Sequence, residues 1–280
     1  IAGTLSYLFN PFLADSKAFV ACFTIIVFWG LTFANLLGMR LSSMISTIAA
    51  IAGTLLPMLI ISILGLIWVL KGEPLALTFS WSAFFPTAET FTNLGFFDNT
   101  LFGLLGLEMA ATHAREMRNP TKDYPRSVFI TIGIVILTTI ISSLALTVAI
   151  PGRNMSLATG VIQAFALFLR SFHLDFLIPI FVLCIILGGM GGIASWIIGP
   201  TKGLLVASED GNLPHSLAKT NAHGVPYRIL ILQACLVTAL CFVFVIMPTV
   251  NSSFWILSAI TAQLAMIVYI FLFAAALSLR

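Results

Sequence analysis

Charge is what this sequence has least of. Lys, Arg, Asp and Glu together make up 8% of 280 residues, against 60% hydrophobic residues and a mean hydropathy of +1.10. So few charges cannot clothe a water-facing surface, which excludes a soluble globular domain. Cysteine is scarce as well. Cys22, Cys184, Cys235 and Cys241 all fall within apolar runs, with no paired or CxxC spacing. They read as small buried apolar residues, not as disulfide partners or metal ligands. His113, His173, His215 and His223 stand at span ends or in loops, and no two share a helix face. Neither a metal site nor a cofactor is expected. There is no low-complexity segment, and Ile1–Asn10 has neither the basic start nor the small-residue cleavage site of a secretory signal.

Long apolar runs are what the chain does have. They recur at about 17–37, 42–70, 127–150, 174–200, 227–247 and 253–279. Each approaches or exceeds the roughly 20 residues a helix needs to cross a hydrocarbon core. A shorter run at about 94–112 makes a seventh span, the fifth of the long ones continues toward 207, and the first dozen residues read as the tail of an eighth. The chain starts Ile-Ala-Gly without Met and stops at Arg280 directly after an apolar run, so an internal piece of a longer polytopic protein is expected.

The loops carry the orientation. If 17–37 enters from outside, Arg40, Arg115, Arg118, Lys122, Arg126, Lys202, Lys219, Arg228 and Arg280 lie on the inner side. Only Lys17, Lys71, Arg153 and Arg170 lie on the outer side, nine against four. An excess of Lys and Arg marks the cytoplasmic face. The cluster in 113–126 is flanked by two spans and reads as this topology signal, not as a nucleic-acid patch. Residues 71–93, broken by Pro74 and Pro86, suit an outer loop resting in the interface. In 113–126, Asn119-Pro120 and Tyr124-Pro125 are expected to end one helix and start the next. Residues 208–226 read as a turn, a short amphipathic helix and another turn.

Glu108 is the one acidic residue well inside an apolar span, within Gly103-Leu104-Leu105-Gly106-Leu107-Glu108. A carboxylate at membrane depth costs several kcal/mol and persists mainly beside a pathway or a partner. The glycines suggest a helix that unwinds where backbone meets a ligand. Their other reading is close helix packing by small residues. Glu108 likewise has a second reading, a protonated acid bonded to a neighbouring helix. Either role favours its neutral form when water is withdrawn. This combination points to transport. An intramembrane enzyme would gather several acids, histidines or a nucleophile and base at one depth. A channel would show a filter or a charged ring. Neither pattern is present, so no catalytic residue is expected.

Three blocks carry a family resemblance. Gly106-Leu107-Glu108 followed by Ala111-Thr112-His113-Ala114-Arg115-Glu116-Met117-Arg118-Asn119-Pro120 and Asp123-Tyr124-Pro125 is similar to the sixth helix and following loop of the amino acid–polyamine–organocation superfamily. Asp210-Gly211-Asn212-Leu213-Pro214 with Asn221-Ala222-His223-Gly224-Val225-Pro226 resembles its loop between helices eight and nine. Ile193-Ala194-Ser195-Trp196-Ile197-Ile198-Gly199-Pro200 resembles the bacterial glutamate/γ-aminobutyrate antiporter branch.

The resemblance implies an all-α polytopic membrane bundle, a LeuT-like fold of five-plus-five inverted repeats within twelve helices. On that map residues 1–280 form one incomplete transporter domain, from the end of the third helix through the tenth, with 89–279 a complete second repeat. It also implies an amino acid/amine antiporter of the bacterial inner membrane, working by alternating access with proton sensitivity. A proton-coupled amino acid or polyamine symporter is the alternative. Expected partners are an amino acid or amine, protons and membrane lipid, with no nucleic acid. The implied substrate site comprises Phe102, Gly103, Leu105, Gly106, Trp196 and Tyr269, with Glu108 and Phe102 in coupling and gating. The half-helix ending near Phe102–Gly103 leaves carbonyls free for an α-ammonium group, and Phe102 is either a lid or an ordinary ring. The aromatic that matches Trp196 faces the substrate's side chain in a related arginine/agmatine exchanger, which implies the same for Trp196; an interfacial Trp is the other reading. Tyr269 matches one of two pocket tyrosines, and Phe273 stands at the other. Gly192 replaces a glutamate of the antiporter branch, which leaves the substrate open.

Overall fold

A backbone without water must satisfy its own N–H and C=O groups, so the apolar runs fold as helices. The computed structural model describes residues 1–76, 103, 105–106, 108–109, 111, 117–149 and 159–278, with the backbone alone at 39–43 and 149. Its main elements are α1 (Ala2–Phe9), α2 (Lys17–Leu36), α3 (Met39–Ala50), α4 (Leu56–Leu70), α5 (Pro120–Ala149), α6 (Gly160–Ser171), α7 (Ile178–Glu209), α8 (Tyr227–Leu240), α9 (Val243–Ile246) and α10 (Val250–Ser278). Among the described residues six helical stretches are long and apolar enough to cross a membrane, and they coincide with six of the seven expected spans. The run at 94–112 falls mostly outside the described residues.

Chain ends that meet in space are those the charge asymmetry assigns to one side. At the outer side the Lys17 ammonium donates to the carbonyls of Val245 (3.3 Å) and Met247 (3.1 Å). At the inner side Asn221 Nδ2 donates to the Leu36 carbonyl (2.9 Å). Both pairs are more than 180 residues apart in sequence, so they report the packing of antiparallel helices.

Two local features set the helix contacts around α7. Between α3 and α4 the span passes through a π turn, Ile51–Leu55. Pro57 explains it, since a proline has no N–H for the carbonyl four residues back and its ring crowds that carbonyl. That residue is Gly53. A Cβ at Gly53 would overlap the Gly188 backbone, and a Cβ at Gly188 would meet the Gly53 carbonyl. One turn on, a Cβ at Gly191 would overlap Ala49, while Ser46 Oγ donates to the Gly191 carbonyl (3.2 Å). The glycine run 188–192 is therefore a helix–helix contact at Gly188 and Gly191. Such a run in the sequence lets another helix or a ligand approach closely, and at Gly188 and Gly191 it is a helix that does.

Three expectations change. The amphipathic helix expected in 208–226 is a 3-10 turn, His215–Ala218, with no buried residue. Gly211 and Gly224, at φ +81 and +71, and the flanking prolines leave too few residues for a helix. The next span starts at Pro120, with Pro125 inside it. The Asn119 carbonyl accepts the Asp123 N–H (2.8 Å), the first turn's backbone bond, and Asp123 Oδ2 accepts the Asn119 N–H (3.2 Å); Pro120 suits the first helical position, where an N–H would have no partner within the helix. Finally, α6 is a helix the sequence reading missed. Its Ile162, Phe165, Phe168 and Leu169 are buried at helical spacing. They join Ile61, Leu64, Phe181 and Val182 in the largest core, between α4, α6 and α7.

Candidate functional site

The broken segment, α7 and α10 meet at one place. Gly103 is helical, Leu105 and Gly106 form a turn, and Glu108 and Met109 lie in a 3-10 turn. Gly106 has φ +109, a conformation an L side chain avoids, and its carbonyl accepts the Met109 N–H (3.1 Å). The chain thus leaves the α-helix where the glycines suggested it would. Gly106 is also close to α7: a Cβ there would stand 3.0 Å from Trp196 Cζ2, a tight contact.

Trp196 projects from the face of α7 turned toward this segment. Gly199, on the same face, packs on the Met109 thioether, where a Cβ would come within 2.5 Å of Sδ. Other faces of α7 are taken by α3 through Gly188 and Gly191, and by α2 through Ile193 and Ile197. Trp196 is 45% exposed, so much of the indole remains open beside Gly106. Pro200 lies four residues beyond Trp196 and has no N–H to give its carbonyl. The spacing of four from Trp196 to Pro200 in the sequence is enough to free this carbonyl.

Glu108 ties the break to α10. Its Oε2 accepts the Tyr269 hydroxyl at 2.6 Å and the Gly106 N–H at 3.0 Å. The Tyr269 and Phe273 rings stack with centroids 6.4 Å apart and planes at 25°. A bond to a neighbouring helix is one of the two expectations for Glu108, and a tyrosine hydroxyl in an apolar span needs a hydrogen-bond partner. The structure joins the two. Gly103, Leu105, Gly106, Glu108, Trp196 and Tyr269 are all described, and Gly106, Glu108, Trp196 and Tyr269 are linked by the contacts above. Phe102 lies outside the described residues. Gly192 is one turn before Trp196 on the same face, and a Cβ there meets nothing within 4 Å.

Two cavities lie elsewhere. One of about 410 Å³ is lined by Thr54, Met58, Thr139, Ser142, Ser143 and Phe165 among others. One of about 230 Å³ is lined by Phe23, Phe28, Phe244 and Phe254 among others. Neither of these two is lined by Glu108, Trp196 or Tyr269. Among the described residues no group of three or more His, Cys, Asp or Glu could hold a metal ion.

Comparison with known proteins decides the family, because a match to the amino acid permeases runs over residues 1–280. The chain belongs to the amino acid permease family. It is 41% identical over 280 residues to an uncharacterized transporter of Legionella pneumophila, covering all of this chain and 60% of that protein. It is 31% identical over 241 residues to the glutamate/gamma-aminobutyrate antiporter of Lactococcus lactis, covering 85% of this chain and 48% of that one. A "Probable agmatine/putrescine antiporter" of the same species is 29% identical over 192 residues, 67% of this chain and 40% of its own length. The chain thus spans 60% or less of these relatives. Six spans and bacterial permease relatives make it a multi-pass protein of the inner membrane.

The face that the charge asymmetry assigns to the inside is held by the loop at Asn221–Pro226. Asn221 Oδ1 accepts the N–H groups of His223 (2.9 Å) and Val225 (3.0 Å) while Nδ2 caps α2 at Leu36. One side chain closes a turn and joins it to a helix end. Both the Asn and the Gly at φ +71 that follows have a physical reason to stand where the sequence pattern has them.

Proposed function

We propose that the full-length protein is a secondary transporter that exchanges an amino acid for its decarboxylated amine, or a related pair, by alternating access. On this reading residues 1–280 run from the end of the third through the tenth of twelve helices, with 89–279 the second five-helix repeat. The observation that carries the proposal is the break at Gly106, seated against Trp196 and tied to α10 through Glu108 and Tyr269. A helix that stops leaves its last carbonyls without partners and with the negative end of its dipole. The carbonyls near Gly103 and Leu105 suit a substrate ammonium group, and the open indole of Trp196 suits the substrate's far end. Phe102, next to Gly103, is the candidate lid. The relatives named as antiporters support exchange over one-way uptake.

Glu108 supplies the proton sensitivity. Its carboxylate oxygen holds two donors, one on the broken segment and one on α10. Protonation weakens both bonds, because each is strongest to a charged acceptor. A proton therefore loosens the tie between two elements that must move past each other when the site changes sides.

The test is counterflow in proteoliposomes with the full-length protein. Labelled amino acid or amine should enter only when unlabelled partner is inside, and Trp196→Ala should weaken affinity tenfold or more while the protein stays monodisperse. Uptake that needs an inward proton gradient and ignores internal substrate would replace the exchanger with the symporter.

A further inference from the structure

Asn35 stands at the inner end of α2, one residue before the carbonyl that Asn221 caps. It is 1% exposed, and among the described residues neither its Oδ1 nor its Nδ2 has a hydrogen-bond partner. Phe28, Thr32 and Asn35 fall at i, i+4 and i+7, on one face of α2. Phe28, with Leu31 and Leu36, packs on the core of Ile197, Val225 and Leu230, drawn from α7, the inner loop and α8. The hydroxyls of this region are engaged elsewhere. Thr32 Oγ1, one turn before Asn35, donates to the Phe28 carbonyl (2.8 Å). Thr201 Oγ1, one turn beyond Ile197, donates to the Ile197 carbonyl (2.6 Å) and to Gln233 Oε1 of α8 (3.2 Å). A carboxamide is thus closed into an apolar joint.

Two opposed effects meet at this joint. Burying an amide donor or acceptor without a partner disfavours the closed arrangement by roughly 5- to 150-fold against one in which water reaches it. Against this stands Asn221, whose Nδ2 donates to the Leu36 carbonyl (2.9 Å) while its Oδ1 holds the N–H groups of His223 and Val225. The Leu36 and Val225 side chains share one apolar cluster, so the latch and the packing close together. Latched carbonyl and unpaired amide sit on adjacent residues. Moving the loop off α2 therefore breaks the Asn221 bond and opens Asn35 to water in one motion. Gly38, two residues after Leu36, gives the chain a pivot there: its φ is +129, and a Cβ on it would meet nothing within 4 Å.

We infer that the joint between the inner end of α2 and the loop Asn221–Pro226 is a two-state contact, held closed by Asn221 and driven toward opening by the buried carboxamide of Asn35. Its opening belongs to the step that exposes the site to the inside, a link that rests on the transport reading above. The two-state contact itself does not depend on that reading. Both asparagines act by position, through α2 and the loop.

The experiment follows Val225, buried within the joint, as Val225→Cys in a cysteine-free full-length protein, with the rate of maleimide labelling as readout. Asn35→Leu replaces the carboxamide by an apolar side chain of similar size. It should slow labelling at least about fivefold and raise the melting temperature by about 2 °C or more, because the closed state loses its penalty. Asn221→Ala should quicken labelling at least about fivefold, because the latch is gone. In proteoliposomes, Asn35→Leu should lower counterflow turnover at least about fivefold with KM unchanged, since opening becomes the slower step. An asparagine that merely holds the fold gives the opposite: Asn35→Leu melts lower and labels faster. That result, or equal labelling of the three proteins, overturns the two-state contact. If Val225→Cys is not monodisperse, hydrogen exchange of the His223 and Val225 amides replaces labelling, with the same outcomes. Slower labelling with unchanged turnover overturns the link to transport and leaves the contact in place. A wild type that exchanges no amino acid or amine fails the transport reading, and the labelling result stands without it.

Discussion

The bond between Glu108 and Tyr269 makes the sharpest prediction, because it joins residues 161 positions apart through a single 2.6 Å contact. Tyr269→Phe removes the hydroxyl and keeps the ring stacked on Phe273. A hydrogen bond to a charged acceptor is worth about 1.5–3 kcal/mol, and both partners are only partly buried, so solvent screening brings the figure toward about 1–2 kcal/mol. That is roughly a 5- to 30-fold change in the balance between states that keep the bond and states that break it. Glu108→Gln keeps the size and an acceptor but removes the charge. The sign follows from the acceptor. The tie is strongest with Glu108 ionised, so the Phe variant should differ most from wild type at the alkaline end of the pH profile and converge with it as acid protonates Glu108. The Gln variant should lose most of the pH dependence. A double-mutant cycle on exchange rates in proteoliposomes, from about pH 4.5 to 8, reads the coupling directly. The double variant should differ from Glu108→Gln alone by less than Tyr269→Phe differs from the wild type, because only a neutral bond is left to lose. Effects that add to within about 0.5 kcal/mol at every pH would show that the two residues do not act together, and the proton sensor would have to be sought outside this pair.

Gly53→Leu should lower the thermal stability of the detergent-solubilised full-length protein by about 1–3 kcal/mol or more, because its side chain has only the Gly188 backbone to enter; unchanged melting in fluorescence-detected gel filtration would deny the contact. Asn221→Ala should cost about 1–3 kcal/mol, as the buried end of α2 and two loop N–H groups lose their partner. Asn221→Asp, which keeps the acceptor and loses the donor to Leu36, should fall between, measured by the same assay. Single cysteines at Lys219 and Lys71 in a cysteine-free background test orientation. Impermeant maleimide should label Lys71→Cys in intact cells and leave Lys219→Cys unlabelled, and the reverse pattern would invert the topology.

The spans could be read from the chain, and an orientation proposed from it, because both are one-dimensional properties. A run of about 20 apolar residues has one stable form in lipid, and Lys and Arg count by loop whatever the helices do above them. The unwinding at Gly106 was also legible, since glycine next to a deep carboxylate is a local signal and φ +109 is a local conformation. So was the close approach at Gly188, although not the partner it approaches. What the sequence left open are matters of which residue faces which. Glu108 and Tyr269 were each marked as needing a partner, yet nothing in their spacing pairs them; the packing of the broken segment between α7 and α10 does. The π turn needed Gly53 to be pressed on α7 before Pro57 could be seen as its cause. The helix at Gly160–Ser171 was missed because 12 residues are too few to span, and its apolar stripe becomes a signal only when α4 and α7 stand ready to cover it. Hydrophobic length and charge asymmetry are summed along the chain and survive without coordinates. Contacts between helices depend on rotation about each axis, and a difference of one residue turns a side chain by about 100°, so only the assembled bundle decides them.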